Sequence, residues 1–198
     1  MSYANTMKKL IFATNNQHKL QEINAILGNQ FQVLSLADID FHGDIPETSP
    51  TIEQNAIQKA RYIFDLTTEN CFADDTGLEV AALDGMPGVF SARYSGAKAS
   101  YQDNVDKLLL EMKDKQNRKA CFKTVIALFW EKQLHLFEGK ICGQILTQPT
   151  GKGGFGYDPV FVPDEYQQSF AEMPAELKNK ISHRALATQN LISFLQKQ

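Results

Sequence analysis

The chain has 198 residues, of which 43% are hydrophobic and 22% charged, and its formal net charge is -3. These values suit a soluble globular domain, and a chain this long buries roughly 70% of its unfolded surface without needing staples. They argue against a duplex nucleic-acid binder, which carries a basic excess, and no apolar run approaches the roughly 18 residues of a membrane span.

Residues 1–6 are polar and expected to be frayed, and the N-terminus lacks the apolar stretch of a signal peptide. Residues 7–198 are expected to form a single domain. Lys9-Leu10-Ile11-Phe12-Ala13 reads as a short buried strand, followed by the polar run Thr14-Asn15-Asn16-Gln17-His18-Lys19. Leu20, Ile23, Ile26 and Leu27 then make one helical stripe, with Gly28 as its stop. A loop at the carboxyl end of a strand is where α/β folds place ligands. Val33 to Leu36 reads as a second strand. Ser49 as cap and Pro50 at the first helical position predict a helix to about Leu66, with Ile52, Ala56, Ala60, Ile63 and Phe64 facing inward.

Cys71-Phe72-Ala73 reads as a buried strand ending at Asp74-Asp75-Thr76-Gly77. Ser100 opens another helix, with Val105, Leu108, Leu109 and Met112 inside. Lys119 to Trp130 alternates as a long strand, and a turn near Glu131 to Gln133 returns it along Leu134 to Leu146, a hairpin signal. Ser182 caps a final helix carrying Ala187, Leu191, Phe194 and Leu195 on one face. The sheet must therefore be mixed. Cys71, Cys121 and Cys142 are odd in number, and their spacing fits neither a disulfide framework nor a zinc site. Cys71 and Cys121 lie in apolar runs and read as buried thiols, which suits a reducing cytoplasm.

Four segments carry chemistry. In Gly151-Lys152-Gly153-Gly154-Phe155-Gly156-Tyr157-Asp158-Pro159, glycines permit close backbone approach, the rings of Phe155 and Tyr157 offer flat faces, and Asp158 offers an acceptor. The alternative there is a tight turn. Asp74 and Asp75 after an apolar strand must be paired or bound to a cation, and hard oxygens suit Mg²⁺. Glu47 and Glu53 could add oxygens. The alternative is a cap and a solvated turn. Thr14, Asn15 and Asn16 with Lys19 make a phosphate seat at a helix start, or only a capped polar loop. Lys178, His183 and Arg184 form a late basic group, and Arg184 in a first helical turn opposes the macrodipole unless an anion lies close. Arg93 is expected to pair with a carboxylate or to lie on a dimer surface. Together these segments point to a nucleoside polyphosphate site.

The residues resemble a known family. Ala13-Thr14-Asn15-Asn16…Lys19…Glu22, Glu53-Gln54-Asn55-Ala56…Lys59-Ala60, Ala73-Asp74-Asp75-Thr76-Gly77-Leu78, Gly85-Met86-Pro87-Gly88-Val89-Phe90-Ser91-Ala92-Arg93-Tyr94, Gly153 to Pro159, and Lys178…Ile181-Ser182-His183-Arg184 occur in order. This pattern is similar to the inosine triphosphate pyrophosphatase family, and within it to the bacterial non-canonical purine NTP pyrophosphatases, over nearly the whole chain from about Lys8. Thr76 stands where serine is common, and residues 1–6 extend beyond the usual start.

The resemblance implies an elongated mixed α/β sheet with two lobes around a central cleft, and a homodimer. It implies Mg²⁺-dependent hydrolysis of ITP, dITP or XTP to the monophosphate and pyrophosphate. Thr14, Asn15, Asn16, Gln17, His18 and Lys19 would hold phosphates. Asp75 would be general base and metal ligand, with Glu47 as a second metal carboxylate; the residue pair itself adds Asp74 as a further metal oxygen. Thr76, Phe155, Gly156, Tyr157, Asp158, Lys178, His183 and Arg184 would contact substrate. Whether Asp74 or Asp75 takes the proton stays open at this point. The competing readings are a house-cleaning pyrophosphatase for modified pyrimidines and a nucleotide-binding module without turnover.

Overall fold

A computed structural model describes residues 8–27 and 31–198. The frayed segment expected over residues 1–6 and the helix stop expected at Gly28 lie outside the described residues. In chain order the elements are β1 (Lys9–Phe12), α1 (Gln17–Leu27), β2 (Gln32–Leu34), α2 (Ile52–Thr67), β3 (Cys71–Val80), β4 (Pro87–Gly88), α3 (Tyr101–Glu111), β5 (Lys119–Trp130), β6 (Gln133–Ile145), β7 (Phe161–Pro163), α4 (Ala175–Ile181) and α5 (His183–Leu195). The strands form one sheet in the order β2-β1-β3-β5-β6-β7, with β4 paired to β3. β1 runs parallel to β2 and β3, whereas β3, β5, β6 and β7 pair antiparallel. The sheet is mixed, as expected.

The two faces of the sheet are set by the alternation of β3. Cys71 and Ala73 pack with Ile52, Ala56, Ala60 and Ile63 of α2 on one face. Phe72 packs with Ile23 and Leu27 of α1 and with Ala187 and Leu191 of α5 on the other. A third cluster, with Leu78, Val80, Val105, Leu108, Phe122, Phe161 and Phe170, closes the far end of the long strands. Each fully buried Leu, Ile or Phe side chain contributes about 1.5–3 kcal/mol.

The β5–β6 hairpin turns at Glu131 and Lys132, both at positive φ (49° and 68°). That is the backbone twist a two-residue hairpin loop requires. Ser100 caps α3 through a full capping box, and Ser182 caps α5 by accepting from the Ala185 N–H at 3.2 Å.

Three expectations are corrected. The α2 cap is Thr51, whose hydroxyl accepts from the Gln54 N–H at 3.1 Å; Ser49 and Pro50 lie outside the helix, and the Ser49 N–H donates instead to Asn55. β3 does not stop at Ala73 but runs on through Asp74, Asp75, Thr76 and Gly77, paired to β5 throughout. Cations from the flanking helices offset the burial of those carboxylates, so the strand need not break. Cys121 and Cys142 form a disulfide, with Cα atoms 4.0 Å apart. They sit directly opposite one another in the hairpin register, which spacing along the chain does not reveal. The cysteine argument for a reducing compartment therefore lapses. Cys71 is a buried thiol, as expected, and burial pushes its pKa up to about 12.

Candidate active site

A cavity of about 310 Å³ opens at the carboxyl end of β1, between α1, α2, the Phe155 loop and the start of α5. Its size suits a small-molecule ligand. The alternation of β3 decides what reaches it. Adjacent carboxylates on a strand point to opposite faces, so Asp75 follows Ala73 toward α2 and Asp74 follows Phe72 toward α1 and α5.

On the α2 side, Lys59 lies between Glu47 and Asp75. Its ammonium is 3.1 Å from Asp75 Oδ1 and also contacts Glu47 Oε1. Burial raises the Asp75 pKa, and Lys59 only partly opposes it. Burial alone would lower the Lys59 pKa, but Asp75 and Glu47 outweigh it and keep the amine charged. Arg93 extends the group, with Nη1 3.8 Å from Glu47 Oε2. Two carboxylates thus converge on one cation.

On the other side, Asp74 is fully buried and both its oxygens are engaged. Oδ1 accepts from Lys19 Nζ at 2.9 Å, and Oδ2 accepts from Arg184 Nε at 3.2 Å and from the Thr76 hydroxyl at 3.3 Å. Burial would raise its pKa, but Lys19 and Arg184 overcome that and hold the carboxyl far below its ordinary range. Asp74 does not line the cavity. From outside the lining it anchors two cations, whereas the adjacency of the two carboxylates in sequence suggests Asp74 as a metal oxygen.

Glu22 of α1 binds Lys178 Nζ at 2.8 Å and also contacts Arg184 Nη1. These carboxylates supply the anions that Arg184 needs at a helix N-terminus. Lys178 also donates to Asp158 Oδ2 at 2.7 Å, and the same oxygen accepts from the Phe155 N–H at 2.7 Å. Asp158 therefore shapes the Phe155 loop and fixes Lys178 at once. Gly154, at φ +71°, leaves room for that carboxylate, which any Cβ would overlap.

At the start of α1, Asn16 Oδ1 accepts from the backbone N–H groups of His18 (3.0 Å) and Lys19 (3.2 Å), and Thr14 Oγ1 accepts from that of Asn16 (3.2 Å). Asn16 is thus a cap, while Thr14, Asn15, Asn16 and Lys19 all line the cavity. Gln17 and His18 do not line it; the His18 ring instead stacks on Phe155, with centroids 5.1 Å apart.

His183 lies in the wall, and Phe122 stacks on its ring at 4.5 Å. Burial, reinforced by Arg184 and Lys178, drives its pKa well below 6.5, so the imidazole is neutral. Its Nδ1 is buried and has no hydrogen-bond partner among the described residues. Thr76 lines the cavity; with its hydrogen on Asp74, it accepts from Thr124 Oγ1 at 2.7 Å and from Arg184 Nη2 at 3.1 Å.

The structure thus gathers Thr14, Asn15, Asn16, Lys19, Glu47, Asp75, Thr76, Phe155, Gly156, Tyr157, Asp158, Lys178, His183 and Arg184 around one cavity. Tyr157 is mostly a core residue, and its hydroxyl donates to the Ser91 carbonyl at 3.0 Å. Glu53 and Lys152 lie outside this cavity. Sequence reasoning gave no role to Lys59 or Glu22. For Lys59 a signal existed: a lysine in register with Ile52, Ala56, Ala60 and Ile63 puts a charge on an apolar stripe.

The profile of the Ham1 family matches residues 10–194. The chain is 53% identical to a dITP/XTP pyrophosphatase of Flavobacterium psychrophilum, across 94% of this chain and 98% of that protein. It is also 53% identical to a dITP/XTP pyrophosphatase of Porphyromonas gingivalis, across 96% and 98%. Among solved structures, a HAM1 protein from Coxiella burnetii superposes with a TM-score of 0.89 at 36% identity, covering 97% of this chain and all of that one. The Ham1 protein of Staphylococcus aureus gives 0.88 at 35% identity, across 96% of this chain and 99% of its own. With family-profile, sequence and structural matches all spanning nearly its full length, the chain belongs to the Ham1 family.

Proposed function

We propose that the protein hydrolyses the non-canonical purine triphosphates ITP, dITP and XTP to the monophosphate and pyrophosphate, clearing deaminated purines from the nucleotide pool. The observation that carries this reading is the mixed lining of the cavity. One cavity is lined both by carboxylates and cations (Asp75, Glu47, Lys59, Lys19) and by aromatic and hydrogen-bonding groups (Phe155, His183). A triphosphate and a purine need those two environments in one site. The names of the relatives support the same substrates.

The residues fit Mg²⁺. Glu47 and Asp75 are hard oxygen donors already aimed at one point, where the Lys59 ammonium stands, and Mg²⁺ is commonly held by one or two carboxylates plus substrate phosphates. When bound there, Mg²⁺ would neutralise phosphate oxygens and make the attacking water more acidic. Asp75, which lines the cavity, would hold the water and take its proton. Attack falls on the α-phosphorus in line with the pyrophosphate. Lys19 and the N-terminus of α1 receive the charge that develops on that leaving group.

Base choice is assigned to His183, whose neutral ring lies in the cavity wall. Its one N–H donates to the O6 acceptor of inosine or xanthosine, where adenine presents an amino donor. Arg184 is already paired through Nε, Nη1 and Nη2, so it braces the site. We also propose a homodimer, supported by exposed apolar surface at Met86 (38%) and Phe90 (45%). Among the described residues no helix is long and apolar enough to cross a membrane.

The test is product analysis with ITP and, separately, ATP, in Mg²⁺ and then in EDTA. IMP and pyrophosphate from ITP alone, lost in EDTA, is the expected outcome. IDP and orthophosphate, or no turnover of ITP, would overturn the proposal.

A further inference from the structure

Three aromatic rings from three separate elements meet beside the cavity, and two of them, Tyr101 and Phe155, line it. His18 is the second residue of α1, Tyr101 the first of α3, and Phe155 lies in the loop between β6 and β7. The centroids are 5.1 Å apart for His18–Phe155, 5.8 Å for Tyr101–Phe155 and 6.2 Å for His18–Tyr101. All three separations lie in the range of favourable aromatic pairs. Buried residues of α1 and α3 belong to different core clusters, so the rings bridge two parts of the molecule over the cavity.

Tyr101 differs from the other two. It lines the cavity, yet 42% of it is exposed. A lone exposed tyrosine needs no explanation, but this one extends a π surface that faces the ligand space. Phe155 is already flanked by His18 and by two cations, with Lys178 Nζ 5.0 Å and Arg184 Cζ 5.7 Å from its centroid. Tyr101 is therefore the open aromatic face at the cavity. The charged groups of the cavity suit phosphates, and the flat apolar part of a nucleotide is its base.

Resting on the function proposed above, we propose that Tyr101 is a substrate-contacting residue: with Phe155, which His18 backs, it forms an aromatic clasp that takes the purine ring and sets affinity for the base. The contact is sequence-tolerant in kind, since every base has a π face, so it governs how tightly a purine is held rather than which purine is chosen.

The experiment compares Tyr101→Leu and Tyr101→Phe with the unaltered protein. Leucine keeps apolar bulk and helix propensity, and phenylalanine keeps the ring. The measured quantities are KM and kcat for ITP, inhibition by IMP, and inhibition by pyrophosphate, which has no base. For Tyr101→Leu the proposal expects KM for ITP and the inhibition constant of IMP to rise roughly tenfold, the scale of one base–aromatic stack. Pyrophosphate inhibition should stay within about twofold, and Tyr101→Phe should stay close to the unaltered protein in every measurement. An unchanged KM for ITP in Tyr101→Leu, or an equal loss of pyrophosphate and IMP binding, would overturn the clasp while leaving the proposed function standing. If the unaltered protein neither hydrolyses ITP nor binds IMP, the function falls and the clasp with it.

Discussion

Gly139 tests how rigidly the sheet positions the site. It lies in β6 opposite Thr124 of β5, and the first turn of α5 rests on it. A Cβ built there overlaps the His183 carbonyl oxygen and the Ala187 nitrogen, both backbone atoms, and lies 3.0 Å from Leu186 Cβ. Backbone cannot rotate aside as a side chain does, so in Gly139→Ala the helix must lift by roughly 1 Å, a displacement that near reacting groups costs about 10²-fold in rate. The first turn of α5 carries His183 and Arg184, and Arg184 now sits 3.2 Å from Asp74 and 3.1 Å from Thr76. Both bonds are near the limit of useful length and would not survive that shift. Overpacking of this kind costs about 1–3 kcal/mol, which lowers Tm by roughly 2–12 °C in a chain of this size. The variant should therefore remain folded at 25 °C yet lose about 10²-fold in kcat/KM for ITP. Thermal melting and steady-state kinetics on the same preparation separate the two effects. Unchanged Tm together with unchanged kcat/KM would refute the argument that the approach of α5 to β6 fixes the site.

Other outcomes follow from the ion pairs. Asp75→Asn should abolish ITP turnover while circular dichroism and Tm stay near normal; retained turnover would remove Asp75 as base. Glu22→Gln leaves Lys178 and Arg184 short of a buried partner, and it should cost about 3 kcal/mol. In a chain of this size that lowers Tm by roughly 6–12 °C, and an unchanged Tm would mean that Asp74 and Asp158 suffice. His183 sets a pH dependence. Its folded pKa lies well below the ordinary 6.5, so below 6.5 the unfolded chain takes up a proton that the folded chain does not. Its contribution is thus intact above that pH and lost as pH falls. Between pH 7.5 and 5.5 the loss is about 1.4 kcal/mol, and His183→Gln should flatten that part of the stability profile. A profile as steep in the variant would assign the slope to other groups.

Much of the frame was legible in local signals. The β5–β6 alternation, the caps Ser100 and Ser182, and the apolar stripe of α2 are read from a few neighbouring residues, and the structure bears them out. What was not legible depends on partners distant in sequence. Asp74 and Asp75 looked like the end of a strand because burial of two carboxylates is costly. The cations that relieve that cost come from residues 19, 59 and 184, and only the folded chain brings them together. The alternation that splits the pair, one toward α2 and one toward α1 and α5, follows only once the strand is known to continue. The Cys121–Cys142 pairing likewise needs the hairpin register. The cap at Thr51 competed with a plausible Ser49-Pro50 signal, and the hydrogen bond to Gln54 decides it. Tyr101 carried no signal beyond following a cap; its relation to Phe155 is purely tertiary.

The central claim is that water attacks the α-phosphorus of a purine triphosphate held between Asp75 and Lys19. The most direct measurement is hydrolysis of ITP in ¹⁸O-labelled water, with both products examined by mass spectrometry. The account predicts one labelled oxygen in IMP and none in pyrophosphate. Label in pyrophosphate, or release of labelled orthophosphate, would place the attack at another phosphorus and contradict it.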